Sequence, residues 1–454
     1  MTVPTRDELV RWDQAHVWHP FTQMQDWLGE PPLVIAAGEG NYLIDVDGRR
    51  YLDGVSSLWC NVHGHRRPEL DAALVEQSTR IAHSTLLGLT SVPAVVLAKR
   101  LVDLVPAGLT RVFYSDAGAT AVEIALKMAV QYWQLRGQAG RVGFATLTEA
   151  YHGDTLGAVS VGYAEAFHRF FRPLLFPCLK LNPPHVYRWQ RGMDPDAALR
   201  AAVVEAESLL ERHGRAVAAL IVEPLMQGAA GMWSHPPAYL RALRDLTVSH
   251  GILLICDEVA TGFGRTGRMF AVQHAGVAPD LMCVGKGISG GYLPLAATLA
   301  TDEIFNVFLG RYDEFRAFFH GHTYTGNALA CAVALASLDV FEQDDVLARV
   351  RARAAQLRTC LEREVAPLPH VGDVRQWGLM VGIELVRDRA TREPYPAAAR
   401  IGHRVIMETR RRGVLLRPLG NVIVLMPPLS ITADEIVALC AVTRDAIASV
   451  TAAS

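Results

Sequence analysis

Residues 252–287 read ILLICDEVATGFGRTGRMFAVQHAGVAPDLMCVGKG. The apolar run Ile252-Leu253-Leu254-Ile255 ends in Cys256-Asp257-Glu258, and the run Leu281-Met282-Cys283-Val284 ends in Gly285-Lys286-Gly287. Short continuous apolar runs predict strands buried on both faces of a parallel sheet. Ligands of open α/β sheets gather outside the carboxyl ends of the strands. Here those ends carry an acid and an amine. Of 44 basic residues only four are lysine (Lys99, Lys127, Lys180 and Lys286); the other forty are arginine. A lysine amine in an apolar setting can lose its proton and attack a carbonyl, which guanidinium cannot. The carboxylates Asp257 and Glu258 fit either a cap on a strand end or a partner for a positive charge on a bound ring.

Outward from this stretch, strands alternate with helices from about residue 65 to 330. Strand-like runs are Arg111-Val112-Phe113-Tyr114, Gly143 to Leu147 and Ala219-Leu220-Ile221-Val222; helical patterns cover Ala119 to Trp133 and Pro237 to His250. This alternation predicts an α/β fold with a mostly parallel sheet covered on both faces. Leu33-Val34-Ile35 and Tyr42-Leu43-Ile44, with Asp47-Gly48 as a turn, predict a small meander. After about 335 the character changes. A helix over Leu347 to Glu364 precedes strands near Leu379 to Leu385 and Val422 to Met426, and Thr432-x-x-Glu435 opens a last helix as a capping box. The reading is a large domain over residues 65–334 and a smaller α+β domain assembled from residues 1–64 and 335–454.

Two further segments carry chemistry. Ser115-Asp116-Ala117-Gly118-Ala119-Thr120 joins a strand to a helix, and the bare N–H groups there suit a phosphate, or Ser or Asp simply caps the helix. Tyr151-His152-Gly153-Asp154 follows a strand, where an aromatic can stack on a flat ring or merely form a turn. Two motifs are discounted. Gly262-Phe263-Gly264-Arg265-Thr266-Gly267 matches a dinucleotide fingerprint, but no helix opens within it and its acids precede it. The pairs His63-Gly64-His65 and His320-Gly321-His322 lack a further ligand at metal-site spacing. Jointly, a lysine for an aldehyde, an acid for a pyridinium nitrogen and a helix start for a phosphate fit one cofactor, pyridoxal phosphate.

Asp257-Glu-Val-Ala-Thr-Gly-Phe-Gly-Arg-Thr-Gly267 followed by Gly285-Lys286-Gly287 resembles the class III aminotransferases of fold type I. His16-Val-Trp-His-Pro-Phe-Thr-Gln-Met24, Ser56-Ser57-Leu58-Trp59-Cys60-Asn61-Val62-His63-Gly64, Ala125-Leu126-Lys127-Met128-Ala129 and Arg417-Pro418-Leu419 resemble the branch that aminates 8-amino-7-oxononanoate in biotin synthesis. The resemblance runs from about residue 8 to 450. It implies that Lys286 holds the cofactor aldehyde, Asp257 the ring nitrogen, and Gly118 and Ala119 the phosphate, with Tyr151 stacked on the ring. His322 and Thr323 would reach the phosphate of a partner subunit, which implies a homodimer. Arg417 would pair with the substrate carboxylate, and Phe21, Leu58, Trp59, Asp154, Arg265 and Gly321 would complete the substrate pocket. The chain departs from the adenosylmethionine-using members at Leu58, where they carry Trp, at Phe21, where they carry Tyr, and at His322, where they carry Pro. Ala119 stands where a phosphate serine is usual. Leu58-Trp59 with His320-Gly-His-Thr-Tyr-Thr-Gly326 resembles the lysine-using Bacillus-type branch, so L-lysine is the expected amino donor ahead of S-adenosylmethionine. A general ω-amino acid or amine:pyruvate aminotransferase is the alternative.

Composition bounds the partners. The chain has 454 residues, half of them hydrophobic, and a formal net charge of −2. No basic excess points to nucleic acid, and no run of about 18 uncharged apolar residues points to a membrane span. The start Met-Thr-Val-Pro-Thr-Arg-Asp-Glu has no apolar signal core. Seven scattered cysteines without a Cys-x-x-Cys pair read as reduced core residues of a cytoplasmic protein.

Overall fold

A computed structural model describes residues 4–452. Its centre is a seven-stranded sheet in the order Leu109–Ser115, Ala296–Thr301, Leu281–Val284, Leu253–Asp257, Val217–Val222, Gly143–Leu147, Leu179–Leu181. Ala296–Thr301 runs antiparallel to both neighbours, and the other adjacent pairs are parallel. The central strands are apolar throughout because side chains alternate between two buried faces. Leu253 and Ile255 join one apolar cluster with helix Gly118–Leu135, while Leu254 and Cys256 join the other with helices Pro195–His213 and Pro237–Ser249. Leu254 is fully buried; truncation to Ala there costs about 2–5 kcal/mol.

The two ends of the chain meet in a second sheet. The meander Ile35–Glu39, Tyr42–Asp45, Arg50–Asp53 is extended by Val414–Leu415, which pairs parallel with Leu52 and Asp53. A third, antiparallel sheet holds Val371–Trp377, Met380–Asp388, Val422–Leu425 and Arg417–Leu419. The first strand begins at Ile35, later than the sequence predicts. Its partner strand ends at Asp45, whose carboxylate accepts the N–H groups of Asp47 and Arg49 to form the turn, so beyond Ile35 a single bond, Val46 N–H to Val34 O at 3.0 Å, carries the pairing on. The expected helix over Leu347 to Glu364 is α-helical for Val346–Cys360 and continues as one π-helical turn, Leu361–Val365. The last helix, Ala433–Ala452, has the predicted capping box: Glu435 N–H donates to Thr432 Oγ1 at 3.3 Å and Thr432 N–H to Glu435 Oε2 at 2.8 Å. Among the described residues no helix is long and apolar enough to cross a membrane.

Candidate active site

Five parallel strands end on the same edge of the large sheet, and each delivers one part of the site. After Leu109–Ser115 come Gly118 and Ala119; after Gly143–Leu147 come Tyr151 and His152; after Val217–Val222 comes Glu223; Asp257 closes Leu253–Asp257; and Lys286 follows Leu281–Val284. Asp257 lies in register with Cys283, which brings the acid and the amine to neighbouring strand ends. Together these residues wall a cavity of about 400 Å³, with Trp59, Asp154, Thr155 and Ala260 also on its lining.

The acid is rigidly held. Asp257 Oδ2 lies 2.7 Å from His152 Nδ1, both side chains buried, and Oδ1 accepts from Val259 N–H at 3.0 Å. Burial holds the Lys286 amine below its ordinary value, against the upward pull of Asp257 and Glu223, which moves it toward the neutral, nucleophilic form. Its Nζ stands 5.5 Å from the centroid of the Trp59 ring. Glu223 is buried as well and bridges two loops, accepting from Tyr151 N–H at 3.0 Å and Gly228 N–H at 2.8 Å. Burial first, then the nearby Asp257 charge, pushes its carboxyl up to about 7. Tyr151 donates its hydroxyl to Asp154 at 2.6 Å.

The backbone around Trp59 is unusual. Ser56, Ser57, Leu58 and Trp59 all have positive φ, between 49° and 74°, a left-handed turn that L-residues adopt at a cost of about 1–2 kcal/mol each. Side chains lock it. Asp53 accepts from the N–H and the hydroxyl of Ser57 at 3.0 and 2.7 Å, and Ser56 Oγ donates to Met426 O at 2.6 Å. The structure places Arg265 beneath this turn and off the cavity wall. Its buried guanidinium donates to Ser56 Oγ at 2.9 Å, Asn61 O at 2.7 Å and Pro427 O at 2.5 Å. These three acceptors tie Arg265 to the loop that presents Trp59.

The remaining expected residues are distributed around this centre. Leu58 and Phe21 are largely exposed, and Phe21 packs edge-on against Phe167 at 5.9 Å. Arg417 is half-buried, off the cavity lining, and in register with Val424, which packs in the apolar cluster containing Trp59. Gly321, His322 and Thr323 line a separate cavity of about 930 Å³ with Leu87, Val95 and Phe319; His322 Nδ1 is 3.2 Å from Asp116 Oδ2. His152, Glu223, Thr155 and Ala260 were not singled out as site residues from the sequence. Glu223 directly follows an apolar strand much as Asp257 ends one, the one signal in the sequence that pointed to it. Among the described residues no cluster of His, Cys, Asp or Glu could hold a metal ion.

The arrangement fits pyridoxal phosphate. A Cβ on Gly118 would come within 2.4 Å of Val259 Cγ1, and one on Gly153 within 2.4 Å of Ala119 Cβ, so glycine keeps the helix start bare where amide N–H groups have no partner within the helix. Three buried polar atoms on the lining, Trp59 Nε1, His152 Nε2 and Thr155 Oγ1, have no hydrogen-bond partner. A buried amine, a fixed carboxylate and an anion-binding helix start on one cavity define a pyridoxal-phosphate-dependent enzyme of fold type I.

Comparison with known proteins narrows the class. The family model described as "Aminotransferase class-III" matches residues 24–447, and the chain belongs to that family of PLP-dependent aminotransferases. It is 57% identical over 97% of its length, and 81% of the relative's, to a protein of Nitratidesulfovibrio vulgaris named adenosylmethionine-8-amino-7-oxononanoate aminotransferase. The crystal structure of the protein so named from Methanocaldococcus jannaschii superposes with a TM-score of 0.93 at 48% identity, covering 98% of this chain and 99% of that one. An (S)-enantioselective omega-transaminase from Thermomicrobium roseum superposes with a TM-score of 0.95 at 39% identity, over 99% of this chain and 100% of that one.

Proposed function

We propose that this enzyme aminates 8-amino-7-oxononanoate to 7,8-diaminononanoate in biotin biosynthesis, in two ping-pong half-reactions, with L-lysine as preferred donor and S-adenosylmethionine second. The observation that carries the substrate is the 57% identity to the relative named for it, spanning 97% of this chain. The donor is where the reading departs from that relative's name. Phe21 lacks a hydroxyl and Leu58 lacks an aromatic face that could receive a sulfonium.

Bound in the cavity, the cofactor supplies an aldehyde that takes up the amino group and a ring that accepts electrons. Lys286 would hold that aldehyde through its neutral amine and, once displaced by the donor, carry the proton between donor and cofactor carbons. Asp257, fixed by His152 and Val259 N–H, would keep a proton on the ring nitrogen. Tyr151 would stack on the ring. Gly118 and Ala119 would receive the phosphate on backbone N–H groups, Ala119 without the extra hydroxyl of a serine. Thr323 and His322 would complete the phosphate site of a partner subunit. Phe21, Leu58, Trp59, Asp154 and Gly321 would shape the substrate pocket, and Arg417 would grip the oxo acid's carboxylate with its planar fork. The enzyme is read as a cytoplasmic homodimer whose large domain is 65–334 and whose small domain joins 1–64 to 335–454.

A second reading, a general ω-amino acid or amine:pyruvate aminotransferase, is favoured by the fit to the omega-transaminase. Product formation from 8-amino-7-oxononanoate is measured with L-lysine, S-adenosylmethionine or a simple amine as donor. Turnover with lysine supports the proposal. Turnover with adenosylmethionine alone overturns the reading of Phe21 and Leu58 but keeps the substrate. Pyruvate accepted with simple amines while the oxo acid is not would establish the second reading.

A further inference from the structure

One buried titratable group beside the cavity has no part in the chemistry above. His168 is 2% exposed, although it heads a segment whose Phe170 and Leu174 stand in solvent. Ala164 N–H donates to His168 Nδ1 at 3.1 Å. A ring nitrogen that accepts a hydrogen bond carries no proton, so the single N–H of this imidazole is on Nε2. Nε2 faces Asp154 Oδ1 at 3.5 Å, and Asp154 Oδ2 accepts from the Tyr151 hydroxyl at 2.6 Å. The imidazole also lies nearly parallel to the Tyr151 ring, 6.1 Å between centroids at 14°. Phe167 closes its edge at 6.0 Å. The Asp154 side chain is 51% exposed and lies on the cavity lining, where a carboxylate without donors would rotate freely.

We propose that His168 is a positioning residue for amino transfer: its Nε2–H holds Asp154, Asp154 holds the Tyr151 hydroxyl, and this wall of the cavity meets an incoming ammonium substrate in one fixed shape. The inference rests on the proposed function in taking Tyr151 and Asp154 as the substrate wall.

Two substitutions separate the two nitrogens. Asn places its carbonyl near the Nδ1 position, so His168→Asn keeps the acceptor for Ala164 and loses the donor to Asp154. Gln reaches the Nε2 position, so His168→Gln keeps the donor to Asp154 and loses the acceptor. In the holoenzyme, His168→Asn should raise KM for the amino donor about tenfold, the size of one hydrogen bond to a charged group, with kcat within about twofold. His168→Gln should stay within about twofold of the wild type in both constants and be the less thermostable of the pair. The double variant His168→Asn with Asp154→Asn should match Asp154→Asn alone. Wild-type KM in His168→Asn, equal impairment of the two single variants, or additive effects in the double variant would each overturn the proposal. If the wild type turns over 8-amino-7-oxononanoate with neither donor, the substrate assignment falls by itself. The same comparison of variants is then read with whichever amine the wild type accepts.

Discussion

Lys286 runs against two ordinary preferences at once. Its φ is +45°, a left-handed conformation that favours glycine, and its amine is buried with its pKa held down by that burial. Strain and desolvation of this kind persist where surrounding structure imposes them, here the strand Leu281–Val284 and the turn in which Ile288 N–H donates to Gly285 O at 3.1 Å. Lys286→Ala should abolish turnover while leaving the fold, read by circular dichroism, unchanged; a variant with normal rates would sink the assignment. The buried acids give a pH signature. Burial pushes Glu223 and Glu258 from an ordinary 4.5 up to about 7. Between those values the unfolded chain has released protons that the folded chain retains, so the stability these two acids contribute is full below about 4.5 and falls as pH rises to about 7. Glu258→Gln should therefore reduce the drop in Tm between about pH 5 and about pH 8; an identical drop in wild type and variant would refute this account.

Elements are placed here by what is missing from them. Helix Gly118–Leu135 can start against Val259 because residue 118 has no Cβ, and its bare N-terminus is the part of the helix that serves an anion. Val259 is β-branched and stiff, so Gly118→Ala forces overpacking of about 1–3 kcal/mol. The cofactor dissociation constant, measured by absorbance titration, should rise roughly tenfold, and unchanged affinity would remove this helix start from the phosphate site. The left-handed turn at Ser56 to Trp59 follows the same logic in reverse. No glycine relieves it; Asp53 and Arg265 hold it by directed hydrogen bonds, and the turn sets Trp59 beside Lys286. Nothing in the local sequence Val-Ser-Ser-Leu-Trp signals such a turn, because the groups that stabilise it come from residues 53, 265 and 426.

Across the whole molecule, the face around Gly321 to Thr323 leaves Leu87, Leu89, Val92, Phe319 and Tyr324 exposed. Large clustered apolar side chains of this kind mark interaction surfaces, which supports the proposed homodimer. Light scattering should give twice the chain mass, and Leu87→Glu should shift it toward one chain mass with weaker cofactor binding; a wild type that runs as a monomer would remove His322 and Thr323 from the site. The sequence by itself determined the parallel sheet, since strands buried on both faces must be apolar along their whole length, and it marked Asp257 and Lys286 because strand ends in such a sheet share an edge. It also carried the capping box at Thr432 and the family motifs. Tertiary structure alone decided the rest. Glu223, His152 and Asp257 become one buried cluster only when three strands align. Arg265 is tied to the Trp59 turn by acceptors that lie far away in the chain. His322 and Thr323 line a cavity separate from that of Lys286. Hydrogen bonds and packing between residues hundreds of positions apart depend on the register of whole strands, and no local pattern encodes them.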